Sequence, residues 1–233
     1  MIKTKLIFIE GISGSGKSTL TGFISNLFDH YKIDHNAYFE WAENHPIYMK
    51  DDEWFIEHKQ SNSLKYRQLN QERWIKHIFN LVNDDAISIF DSSLFQDPLT
   101  AFMLLLNENL KVVRDYYNGL YKIFKLCNPS LIYLRQNDVY STIERVYNSR
   151  PKEWGDFIIE YICTSPYGKQ KHLKGFDGMV KYFKERQALE DRLFMQYPFR
   201  KIIINNSDFD FEKCYKYVSK FLGFKLNSGF PSH

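Results

Sequence analysis

The chain has 233 residues, 44% hydrophobic and 25% charged, the profile of one folded domain and not of a disordered or fibrous protein. With 31 basic against 28 acidic residues and a net charge of +3, the near-balance argues against a nucleic-acid binder that relies on bulk charge, and nucleic acid is not expected as a partner. Three cysteines with no CxxC pair, and seven histidines without ligand spacing, argue against a disulfide framework or a structural metal.

The apolar part of the opening "MIKTKLIFIEG" is too short for a leader peptide, and no stretch approaches the roughly 20 apolar residues of a membrane span. A soluble, cytoplasmic protein is expected. "LIFIE" at 6–10 predicts a buried strand. Leu20, Phe23, Ile24, Leu27, Phe28 and Tyr31 then recur at helical spacing. A second strand is expected at 36–41 and a long helix over about 53–83. "AISIFD" at 86–91 predicts a strand, followed by a helix from about 95 to 126. A strand at 130–134 leads to a helix bearing Val139, Ile143, Val146 and Tyr147 on one face. Residues 149–177 carry Gly and Lys without clear periodicity. A helix at 178–196, a strand at 201–205 and a last helix with Cys214, Val218, Phe221 and Leu222 complete a single domain over 1–223, with a loose tail at 224–233. Alternating strands and helices, the strands apolar on both faces, predict an α/β fold: a parallel sheet with helices on both faces. Sites in such sheets lie beyond the carboxyl ends of the strands. Three candidate positions are the loop after Glu10, the Glu40 region and Asp91.

Gly11-Ile12-Ser13-Gly14-Ser15-Gly16-Lys17-Ser18 matches G-x-x-x-x-G-K-[ST] at every fixed position, between a strand and an amphipathic helix. Bare backbone lets successive amides converge on phosphate oxygens, and the helix N-terminus adds unpaired N–H groups. Gly11, Ser13, Gly14, Ser15 and Gly16 form the cradle. Lys17 is read as the partner of the β- and γ-phosphates, Ser18 as a Mg²⁺ ligand and Thr19 as an α-phosphate contact. Asp91, just past a buried strand, complements Ser18 at the metal; an acidic helix cap is its bland alternative. Glu40 is expected at the acceptor site as a general base, with Glu43 as its competitor. Arg145 and Arg150 are read as stabilising the charge of the transferring group, with Arg186 and Arg192 as weaker candidates. The lysines of 149–177, namely Lys152, Lys169, Lys171 and Lys174, mark that segment as a lid. Trp41, Tyr48, Trp54, Phe55 and Tyr66 line the acceptor pocket or belong to plain core.

The layout resembles the nucleoside and nucleotide kinases of the P-loop NTPase fold, particularly thymidylate kinase-like and deoxynucleoside kinase-like members. "FIEGISGSGKST" resembles their opening. "NPSLIYLRQNDVYSTIERVYNSR" resembles the strand, turn and Arg-bearing helix that enter their lid. "YFEW" resembles the segment whose Glu is the general base, here Glu40, and "KIIINNS" resembles their last strand and adenine-side loop. Two departures stand out. Asp91-Ser92 replaces the Asp-Arg or Glu-Arg pair of the family, and Glu40-Trp41 replaces Glu-Pro. The resemblance implies an ATP- and Mg²⁺-dependent kinase, with GTP as the alternative donor, acting on a nucleoside, a nucleotide or another small hydroxylated metabolite such as an antibiotic. A homodimer is left open. Two rival readings are a regulatory NTPase switch, against which the absence of an N-K-x-D motif counts, and a kinase of nucleic-acid ends.

Overall fold

The computed structural model describes residues 3–40, 42–49 and 63–225. Five strands, β1 (Leu6–Glu10), β2 (His35–Tyr38), β3 (Ile87–Asp91), β4 (Ser130–Arg135) and β5 (Arg200–Asn205), form one parallel sheet in the order β2-β3-β1-β4-β5. The register pairs Ile9 with Asp91 and Glu10 with Tyr133, so the ends of the three central strands lie side by side. β1 and β3 are buried at every position, as their unbroken apolar runs require.

The period-two geometry of a strand sends alternate residues to opposite faces. Leu6, Phe8 and Phe90 join Trp74, Tyr116 and Phe124 in one core, under α2 (Ser63–Val82) and a later helix, Leu110–Phe124. Ile7, Ile9, Ile89 and Ile132 join Leu20, Ile24, Leu27 and Val218 in the other, under α1 (Lys17–His30) and the final helix. The expected helix over 95–126 is instead three pieces. A short α3 (Gln96–Leu99) runs into a π-helical turn (Thr100–Leu105), and α4 (Leu110–Phe124) starts afresh. The break has a local cause: Asn107 takes φ 47°, and the Asn109 side chain accepts from the amides of Lys111 and Val112, capping a new helix. Of the helix expected over 53–83, Ser63–Val82 is present, and 53–62 lie outside the described residues.

After β4 come α5 (Val139–Ser149), α6 (Lys152–Thr164), α7 (Pro166–Gln170) and α8 (Gly175–Gln196). Residues 149–177 are therefore mostly helical. Their apolar residues, Ile162 and Tyr167 among them, pack on Met179 and Phe183 of α8, and Ile12 of the glycine loop joins that third core. α9 (Phe211–Leu222) closes the chain of elements. Of the tail at 224–233, residues 226–233 lie outside the described residues. Among the described residues no helix is long and apolar enough to cross a membrane. The three thiols are free, and none has a partner cysteine.

Candidate active site

Beyond Glu10 the chain turns through Gly11 to Gly16 into α1. Gly14 has φ 78° and Gly16 φ 96°, the left-handed region that residues with a Cβ avoid. Space is equally restrictive. A Cβ on Gly14 would stand 2.1 Å from Val146 Cγ2 of α5, and one on Gly16 2.8 Å from the Phe211 ring of α9. The loop is thus wedged between two helices that admit only bare backbone. Asn206 Nδ2 buttresses it by donating to Ser15 O at 2.8 Å. α1 has no side-chain cap. The amides of residues 17–19 precede its first intrahelical bond, Leu20 N to Gly16 O at 3.0 Å, and carry the positive end of the helix dipole. Ser18 and Thr19 are exposed. Lys17 is buried, its Nζ donating to Ile12 O at 3.1 Å.

The register of β1 and β3 brings Asp91 to this cradle. Ser18 Oγ donates to Asp91 Oδ2 at 2.6 Å, and Ser92 Oγ to Oδ1 at 2.7 Å. Ser92 holds φ 68° while fully buried, a strained conformation that keeps its hydroxyl on the carboxylate. Hydroxyl and carboxylate oxygens in contact are the hard donor set that Mg²⁺ selects, so these residues fit the ion. Glu40 lies two residues past β2, half-buried, and receives a hydrogen bond from Gln96 Nε2 on α3. Glu43 is exposed. Glu10 anchors the same helix: its two oxygens accept from the amides of Leu94 (2.6 Å) and Gln96 (3.2 Å). Burial pushes the Glu10 carboxyl up to about 8, against the Leu94 amide and the Lys17 charge, which lower it.

No protein-family model matches the chain, and no curated protein does. Solved structures do. The deoxyadenosine kinase of M. mycoides with bound dATP aligns over 93% of this chain and 98% of its own, with TM-score 0.51 and 18% identity. The YorR protein of Bacillus subtilis in complex with phosphorylated GDP aligns over 93% and 95%, with TM-score 0.46 and 14% identity. The chain has the P-loop NTPase fold.

Within that fold each of the two predicted arginines is engaged by an aromatic ring. Arg145 is exposed, with its guanidinium 3.4 Å from the Phe209 ring centroid; Phe209 belongs to the turn between the buttress Asn206 and Phe211. Arg150 stands 5.2 Å from the Trp154 ring. Lys152 and Lys171 form surface pairs with Asp156 and Glu185. Tyr66 is core, against Phe102; Trp41, Trp54 and Phe55 lie outside the described residues.

Two functional-site features escaped sequence reasoning. One is Glu10, whose signal was a carboxylate ending an otherwise apolar strand. The other is His45. Its Nδ1 accepts from the amides of Ile47 (3.2 Å) and Tyr48 (2.8 Å), so the ring proton sits on Nε2 and is donated to Ser93 Oγ at 3.0 Å. Ser93 Oγ donates in turn to Asp91 O at 3.1 Å. His45 thereby clips the segment after Glu40 to the Asp91 turn.

Proposed function

We propose that the protein is an ATP- and Mg²⁺-dependent phosphotransferase that moves a γ-phosphoryl group to a small acceptor, with a nucleoside or nucleotide as the first class to test. The observation that carries this reading is the Ser18–Asp91 contact at the mouth of a glycine cradle too tight for any side chain. The loop amides and Lys17 hold the polyphosphate. Ser18 and Asp91 would hold Mg²⁺, which when bound neutralises charge on the phosphate oxygens. Glu40, oriented by Gln96, accepts the proton of the acceptor hydroxyl. Arg145 and the Phe209 face offer a stacking platform to the donor's base, a reassignment from its expected role at the phosphoryl group. The likeness to a deoxyadenosine kinase supports a nucleoside-type acceptor.

An ATP-consumption screen across nucleosides, nucleotides and aminoglycoside- or macrolide-type alcohols tests this. One acceptor class raises turnover well above background hydrolysis, and Lys17→Ala and Asp91→Asn abolish it. Glu40→Gln lowers kcat by about 100-fold or more, the usual contribution of a general base. Slow hydrolysis with no responding acceptor overturns the transferase reading in favour of an NTPase switch.

A further inference from the structure

The sheet alone does not fix where Glu40 stands relative to Asp91. Asp91 is held in the ladder by its register with Ile9 of β1. β2 is an edge strand, and its register with β3 ends at the pair Tyr38–Phe90, two residues before Glu40. The Glu40 side chain is held by Gln96, but the backbone that carries it needs an anchor of its own. Beyond Glu40, Ala42 N donates to Phe39 O at 3.0 Å and His45 N to Ala42 O at 3.1 Å. The stretch so folded arrives at β3 with the His45 ring.

That ring is buried edge-on against the last residues of the β2–β3 register, its centroid 5.9 Å from Tyr38 and 5.5 Å from Phe90. Its two nitrogens do different work. Nδ1 accepts from the amides of Ile47 and Tyr48, and Nε2 donates to Ser93 Oγ, whose own proton goes to Asp91 O. A neutral imidazole is a donor and an acceptor on one rigid ring, so each proton in this chain of bonds is used once. An apolar ring would fill the same space without the cost of burying two nitrogens. We propose that His45 is a positioning residue for the general base: it ties the backbone segment that carries Glu40 to the Asp91 turn, and so sets the place of one carboxylate relative to the other. The inference rests on the transferase reading argued above.

Steady-state kinetics on the full chain test it, with MgATP and whichever nucleoside, nucleotide or alcohol turns over fastest in the screen above. A thermal melt and MgATP calorimetry accompany each variant. His45→Phe keeps a ring in place and removes the link. It lowers kcat by about 10- to 100-fold, the scale of misplacing a group by about 1 Å, and leaves the Kd for MgATP at the wild-type value. His45→Gln, whose amide retains a donor for Ser93, recovers part of that rate. The deciding measurement is a cycle with Glu40. In a Glu40→Gln background, His45→Phe changes kcat by no more than about twofold, because the group it places is gone. Loss of packing alone slows both backgrounds by the same factor. Should His45→Phe fail to fold, Ser93→Ala opens the link from its other end and goes through the same cycle. Equal losses in the two backgrounds, or a fall in MgATP affinity that accounts for the loss, overturn the role of His45 and leave the transferase reading standing. No turnover of any acceptor by the wild type overturns the transferase reading, and this inference with it.

Discussion

Gly14 and Gly16 each face two independent penalties, a positive φ and a neighbour inside van der Waals range. Gly14→Ala is therefore expected to abolish measurable nucleotide uptake in calorimetry while the melt shows a folded protein, since the loop and not the core absorbs the clash. Retained affinity in Gly14→Ala would show that Val146 yields. Arg145 makes a different demand. Its guanidinium lies over the Phe209 ring, 3.4 Å from the centroid, and an exposed cation–π contact contributes only about 0.5–1 kcal/mol. Arg145→Ala should raise KM for the nucleotide several-fold and leave kcat and stability close to wild type. A fall in kcat with unchanged KM would return Arg145 to the phosphoryl group.

At the scale of elements, the strands were legible because a parallel sheet buried on both faces forces continuous apolar runs: four of the five sit within one residue of their expected bounds, and β2 ends three residues early, at Tyr38. The break at Asn107–Asn109 was harder to see, because apolar residues continue on both sides and only the cap marks the restart. The Lys- and Gly-bearing segment hid α6 because long-range packing on α8, not local pattern, holds it. The glycine loop was readable, whereas Glu10 and His45 depend on contacts between distant segments.

The β3 strand illustrates what packing contributes. Phe90 lies fully buried, with its ring centroid 5.0 Å from Trp74 and 4.8 Å from Tyr38. Phe90→Ala is expected to cost about 3–5 kcal/mol in urea unfolding. The β2–α2 side also carries a pH response. Burial, aided by the charges of His77 and Arg73, lowers His45 from 6.5 to about 4. The unfolded chain therefore takes up this proton first. The contribution is complete above pH 6.5 and is lost on acidification toward 4, at about 1.4 kcal/mol per pH unit. Glu10 acts in the opposite sense: raised from 4.5 to about 8, its contribution is complete below 4.5 and fades as pH rises through 8. Urea midpoints of wild type and His45→Phe, compared at pH 7 and pH 5, should converge on acidification. Parallel curves would remove His45 from the balance.

For the whole molecule, a ligand that binds only the folded state stabilises it by mass action. MgATP at one hundred times its Kd adds about 2.7 kcal/mol, which for a chain of this size raises Tm by about 5–10 °C. Lys17→Ala should lose most of that increment. A Tm insensitive to MgATP in the wild type would count against the cradle itself.

The amide of Asn206 that supports Ser15 comes from 191 positions further along the chain. A ribosome adds residues in order, at about 5–20 per second, so the binding loop waits for the 191 residues that separate Ser15 from Asn206 before it has its prop. Nascent chains halted before β5 are expected to pass over an ATP-agarose column unretained, and the competence to capture nucleotide arrives only once the turn after β5 has emerged.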